Sequence, residues 1–174
     1  RPLVNTIINY LPTDRRHALV NRQPLADRSH GAALFADIAG FTPATDMIAQ
    51  SFGSQRGAEE LLVILNHIYR NLIEQVDRYG GSTINFAGDS ITIWFDDHNP
   101  PNSAPAFLRA AACALAMREA MEPFREIALP NQHSLSLSLK TSIAAGVVRR
   151  MLVGNPSIQL IEVLAGTTIE RLGA

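Results

Sequence analysis

Hydrophobic and polar positions change period several times along the chain, and each change predicts an element. From Arg56 to Tyr79, Leu61, Leu65, Ile68, Leu72 and Val76 recur at steps of three and four. Glu60, His67, Arg70, Asn71 and Glu74 fall off that stripe. This spacing predicts an amphipathic helix laid on a core, stopped by Gly80-Gly81. Ala32 to Ala36 reads as a short buried strand, and Pro43 to Phe52 as a short helix with Pro in its first turn. Ser82 to Phe86 and Ser90 to Asp96 are β-rich runs around Ala87-Gly88-Asp89, which is hairpin grammar. Ala104 to Ile127 predicts an Ala-rich helix with Phe107, Ala111, Leu115 and Met121 among its apolar members. Leu135 to Ala145 opens on Leu-Ser-Leu-Ser-Leu, a period of two that predicts a strand. Gly146 to Val153 is its expected hairpin partner. Leu160 to Leu164 is a further strand, and a helix is expected to start at Thr167.

The predicted order is β-α-α-β-β-α-β-β-β-α. Strand hairpins joined by helices imply an α+β fold, with helices on one face of a mixed, mostly antiparallel sheet. Residues 1–30 read as an N-terminal arm, punctuated by Pro2, Pro12 and Pro24. Leu3, Val4, Ile7, Ile8 and Leu11 have the spacing of a short packed helix, and Arg15-Arg16-His17 reads as a solvated basic face. Residues 31–174 are expected to form the domain proper, with its C-terminal part truncated.

Composition narrows the function classes. With 174 residues, 47% hydrophobic and 18% charged, the chain suits one globular domain with a sizeable core. A net charge of -1 gives no basic field to attract nucleic acid or an anionic membrane. No apolar run approaches the roughly 20 residues of a membrane span. Cys113 is the only cysteine, so no internal disulfide forms, and its Ala-rich surroundings make it a small buried helix residue. A cytoplasmic setting is expected.

The candidate chemistry lies in two stretches. Phe35-Ala36-Asp37-Ile38-Ala39-Gly40-Phe41-Thr42 ends an apolar run in an aspartate beside a glycine, and Phe86-Ala87-Gly88-Asp89 does the same. If the two strands are adjacent, both carboxylates converge at one edge of the sheet. They then repel each other unless a proton or a metal lies between them. One or two Mg²⁺ ions, completed by substrate phosphates, would satisfy both. The same residues would also serve as a helix cap and a turn former. Residues Ala39, Gly40, Phe41 and Thr42 read as a phosphate cradle: bare backbone, outward N–H groups, a hydroxyl and the positive end of the next helix. Lys140 is the only lysine of the chain. On an apolar, hydroxyl-rich strand it needs an anionic partner, such as a phosphate, or a path to water. His67, His98 and His133 show no ligand spacing, and Ser90 has no base arranged beside it.

At these residues the chain resembles the class III nucleotidyl cyclases. Phe35-x-Asp37-Ile38-x-Gly40-Phe41-Thr42, Gly80-Gly81, Phe86-x-Gly88-Asp89 and Lys140 upstream of Ala144-Ala145-Gly146 match in order and spacing from about residue 31 onward. Arg56-Gly57-Ala58-Glu59-Glu60-Leu61 is similar to the soluble, bicarbonate-responsive branch of that family. The resemblance implies a ferredoxin-like palm fold and a two-metal phosphoryl transfer that converts ATP, in preference to GTP, to cyclic AMP and pyrophosphate. It implies Mg²⁺ or Mn²⁺ as cofactor, two ions held by Asp37, Asp89 and the Ile38 carbonyl, with Asp37 and Asp89 catalytic. The phosphates would rest on Ala39, Gly40, Phe41, Thr42 and Lys140. Class III sites form between two such domains, so a second cyclase-type domain, in tandem or in trans, is the implied partner. The chain departs from the family's complementary set. Asn85 stands for the base-selecting Lys, Val163 for the base-contacting Asp or Thr, Glu170 for the transition-state Asn and Ala174 for the Arg. Two readings stay open: an enzyme half-site, and a nucleotide- or metal-binding regulatory module without turnover.

Overall fold

The computed structural model describes residues 11–22, 24–98, 104–130, 134–155 and 157–173. A short helix α1 (Thr13–Asn21) precedes strand β1 (Arg28–Ala39) and helices α2 (Phe41–Phe52) and α3 (Ser54–Arg78). The hairpin β2 (Ser82–Ala87) and β3 (Ser90–Asp96) follows, then helix α4 (Ala106–Ala120) and a 3-10 turn at Glu122–Phe124. A small ladder joins β4 (Ile127–Ala128) to β5 (Ser134–Leu135). Next come β6 (Ser138–Asn155), β7 (Gln159–Ala165), helix α5 (Thr167–Glu170) and a 3-10 turn at Arg171–Gly173. Five strands form one sheet in the order β2-β3-β1-β6-β7, and each pairing is antiparallel. The expected α+β architecture is therefore present.

β1 lies at the centre of the sheet, which explains its apolar run. Ala32, Leu34, Ala36 and Ile38 face the long helices, where they meet Ile68, Leu72 and Val76 of α3 and Ala110, Cys113 and Met117 of α4. Ala33 faces the other way and joins Trp94, Val148 and Leu164, with Ile169 and Leu172 packed against them. A strand buried on both faces loses the alternation that marks a half-exposed one. Its ends carry Arg28, His30 and Asp37, so the apolar run understates its length. The α3 stripe behaves as its spacing requires: Ile68, Leu72 and Val76 are buried, and Leu61 and Leu65 pack at its margin. The expected helix over Leu3 to Leu11 and the loop at Asn99 to Asn102 lie outside the described residues, Leu11 excepted.

Three expectations are corrected. Gly146 to Val153 is not a hairpin partner of the preceding strand but its continuation, for β6 runs 18 residues without a turn. Gly146 stands opposite Gly31 in the ladder, and a Cβ there would lie 2.6 Å from Thr168 Oγ1. The glycine makes room for α5, not for a turn. The Ala-rich helix ends at Ala120, short of Ile127. Pro123 has no N–H to continue it, and a 3-10 turn forms instead. In α4 the buried residues are Ala106, Arg109, Ala110, Cys113, Ala114 and Met117, while Phe107 and Leu115 point to solvent. Burial pushes the Cys113 thiol up to about 12, so it is an inert core residue.

The third correction concerns Arg15-Arg16-His17. Only His17 is exposed. The Arg15 Nε donates to Glu162 Oε2 at 2.9 Å, and Glu162 is also bound by Arg150. Arg150 donates through Nη1 to Asp14, whose Oδ1 accepts from Ser82 Oγ at 2.8 Å. Two acids and two bases thus balance on the sheet face opposite α3 and α4, and they seat α1 there. Arg150 and Glu162 are 4% and 6% exposed, a depth charged groups tolerate only when paired. Burial pushes the Asp14 carboxyl up, but the hydrogen bond and charge of Arg150, with help from Ser82, outweigh it and hold the group below its ordinary value.

Candidate active site

The site assembles from strand register. Ala87 opposes Ser90 across the β2–β3 hairpin, Ser90 opposes Asp37 on β1, and Asp37 opposes Lys140 on β6. Directly opposite residues share a face, so Ser90, Asp37 and Lys140 form one row on the face turned away from α3 and α4. Asp89 sits in the turn immediately before Ser90. The condition on which the paired-carboxylate reading depends, adjacency of the two strands, is met. Lys140 is exposed, so it has its path to water while standing across from Asp37.

The turn that carries Asp89 is held at three consecutive carbonyls. Ser90 Oγ donates to the Ala87 carbonyl at 2.8 Å, Tyr69 Oη to the Gly88 carbonyl at 3.1 Å, and the Ile38 N–H to the Asp89 carbonyl at 3.1 Å. Gly88 supplies the positive φ, 62°, that the turn demands. The last bond ties the Asp89 backbone to the residue that follows Asp37, so the two aspartates are fixed relative to each other. Their charges meet at Tyr69: burial first, and then Asp89 and Asp37, push its hydroxyl above its ordinary value.

Gly40 begins the cradle. It adopts φ 90° as the residue before α2, and a Cβ there would lie 2.6 Å from the Ser136 carbonyl. The first backbone bond of α2 runs from the Ala44 N–H to Gly40, at 3.1 Å. The N–H groups of Phe41 and Thr42 precede it, so helix geometry gives them no intrahelical partner, and Pro43 has no N–H. Thr42 is exposed, Ala39, Gly40 and Phe41 are half-buried, and Phe41 packs on the core. Thus bare donors and a hydroxyl open beside Asp37 at the positive end of a helix.

The donor chemistry fits a hard divalent cation. Among the described residues neither Asp37 nor Asp89 has an ion-pair partner. Two half-buried carboxylates on adjacent backbone segments, neither closed into an ion pair, suit an oxygen-liganded ion. Among the described residues no group of three or more His, Cys, Asp or Glu side chains gathers. A complete cage is therefore not built by side chains, and the Ile38 carbonyl and substrate oxygens would have to finish the coordination.

Sequence reasoning did not single out Tyr69 or Arg109. Tyr69 lies on α3 beside the buried Ile68, and its aromatic contact with Phe86 gives no local signal. Arg109 is 4% exposed and donates to the carbonyls of Ala104, Tyr79, Gly80 and Asp96. It ties the end of α3 to the end of β3, which steadies the hairpin from its far side.

Comparison with known proteins gives the family and the fold. The chain is 28% identical to rat and mouse adenylate cyclase type 10 over 126 residues, 72% of its own length. It is 37% identical to the human protein over 73 residues. It spans only 4% to 7% of the length of these curated relatives. A bacterial light-regulated adenylyl cyclase superposes with a TM-score of 0.76 at 16% identity, over 99% of this chain and 48% of that one. The adenylyl cyclase CyaB from P. aeruginosa gives 0.67 at 20% identity, over 84% of this chain and 70% of that one. The guanylyl cyclase Cya2 gives 0.65 at 22% identity, over 84% and 68%. No helix among the described residues is long and apolar enough to cross a membrane. The family model described as adenylate and guanylate cyclase catalytic domain matches residues 27–160, a stretch that holds both aspartates, the Gly40 loop and Lys140, and the chain belongs to that family.

Proposed function

We propose that this domain is the metal- and triphosphate-binding half of a class III cyclase that forms cyclic AMP and pyrophosphate from ATP once a complementary domain is present. The row of Ser90, Asp37 and Lys140, with Asp89 pinned beside it, is the observation that carries this reading. Asp37, Asp89 and the Ile38 carbonyl would hold Mg²⁺ or Mn²⁺, two ions, which when bound acidify the ribose 3′-hydroxyl and neutralise phosphate charge. The Phe41 and Thr42 N–H groups and the Thr42 hydroxyl donate to phosphate oxygens at the start of α2. Lys140 adds a positive charge on the same face as Asp37. The relatedness to adenylate cyclase type 10 supports ATP as the substrate.

The residues at the complementary positions support dependence on a partner. Asn85 is exposed on β2, where the ladder with β3 shifts register, and it opposes Thr92. Val163 is half-buried opposite Met151, Glu170 is exposed at the end of α5, and Ala174 lies outside the described residues. Val163 is apolar and Glu170 is negatively charged, so neither can donate to a developing phosphate charge. The purified chain alone should therefore turn over at least about 10²-fold more slowly than the chain mixed with a domain that carries the missing Lys, Asn and Arg. Cyclic-nucleotide formation after mixing measures this. Equal activity without the partner would refute the half-site. The same missing groups favour a second reading, a regulatory module that binds nucleotide without turnover. Binding that stays silent after mixing would select it.

A further inference from the structure

Tyr69 reaches the Asp89 turn from the helical layer. Its hydroxyl donates to the Gly88 carbonyl at 3.1 Å, and its ring meets Phe86 edge-to-face with centroids 5.1 Å apart and planes at 87°. The other two carbonyl contacts of that turn come from within the sheet, from Ser90 and Ile38. Phe86 is 46% exposed and β2 is an edge strand, so little else presses on this side of the turn. With its proton committed to Gly88, the phenol oxygen has only lone pairs left to offer. It can accept from a water ligand or a hydroxyl beside the carboxylates, but it cannot compete with a cation for them.

We propose that Tyr69 is a positioning residue that holds the β2–β3 turn so that the Asp89 carboxylate is set for a divalent ion shared with Asp37. The inference rests on the metal-site reading above. Tyr69→Phe keeps the ring against Phe86 and removes only the hydroxyl. The wild-type chain, Tyr69→Phe, Tyr79→Phe and Asp37→Asn should be titrated with Mn²⁺ by calorimetry, with Tb³⁺ as a luminescent probe of the same oxygen site.

Tyr69→Phe should bind Mn²⁺ about 3- to 10-fold more weakly, the effect of one modest hydrogen bond. The metal-free melting temperature should fall by no more than about 5 °C, the thermal equivalent of one modest hydrogen bond in a chain of this length. Sensitised Tb³⁺ emission should persist in Tyr79→Phe and fall markedly in Tyr69→Phe, a readout that general destabilisation does not move selectively. Wild-type Mn²⁺ affinity in Tyr69→Phe, or sensitised emission that is undiminished in it, overturns the assignment. If Asp37→Asn loses the ion and Tyr69→Phe does not, the metal site stands and the role of Tyr69 falls. If Asp37→Asn binds Mn²⁺ as wild type does, the metal-site reading itself fails.

Discussion

In Asp37→Asn or Asp89→Asn, cyclic-nucleotide synthesis by the reconstituted pair is expected to fall at least about 10²-fold, with Mn²⁺-dependent nucleotide binding lost. The substitution is nearly isosteric and touches no ladder hydrogen bond, since the structural bond at Asp89 uses its backbone carbonyl. What disappears is one of two negative charges with no ion-pair partner among the described residues. Like charges held close destabilise the fold that holds them. The metal-free variants should therefore melt at the same temperature as wild type or slightly above it. Reduced function with undiminished stability separates a ligand from a structural residue. Paired rate measurements and thermal melts make the test. Unchanged metal-dependent binding in both variants would remove these residues from the site.

The second large effect concerns stability. Arg150→Leu should cost about 3–5 kcal/mol, the usual consequence of leaving buried carboxylates without their cation. For a chain of 174 residues this is a fall in melting temperature on the order of 10 °C. Glu162 would keep only Arg15, and Asp14 only the neutral donors Ser82 Oγ and the Arg15 N–H. The double variant Arg150→Leu with Glu162→Leu should recover much of the loss, because no unpaired buried charge remains at position 162. The pH dependence has a definite sign. Asp14 titrates below its ordinary value of 3.8 in the folded protein, so its contribution is present above that value. It is lost as pH falls through the lower, folded value. The gap between wild type and Arg150→Leu should be full at neutral pH and narrow in strong acid. A gap that stays constant under acid would show that Asp14 takes no part.

How far the sequence could be read depended on whether a feature is local. α3 and the β2–β3 hairpin are set by periodicity and by a turn glycine, and both were legible. Asp37 and Asp89 stood out because each breaks an apolar run, and adjacency of their strands followed from the topology. Gly146 misled because a glycine in a strand reads as a turn when the element it accommodates, α5, arrives much later in the chain. α4 was read too long because alanine favours a helix at every position and gives no stripe to fade. Pro123 was the stop signal. Arg15, Asp14, Arg150 and Glu162 are scattered in sequence, and no periodicity reports their meeting. Tyr69 was hidden for the same reason, since its partner Gly88 is brought close only by packing of α3 on the hairpin.

The unbroken course of β6 means that one strand carries both Lys140 and Arg150, and both point to the same side of the sheet. Side chains alternate strictly along a strand, so a slip of a single residue would turn Lys140 away from Asp37 and Arg150 away from Glu162 together. The second error would bury a cation among apolar residues without a partner. Misalignment at the Lys140 end, tolerable there because Lys140 is exposed, is thus forbidden from the other end, about 33 Å along the strand. The charge cluster under α1 acts as a proofreading lock on the alignment of Lys140 with Asp37.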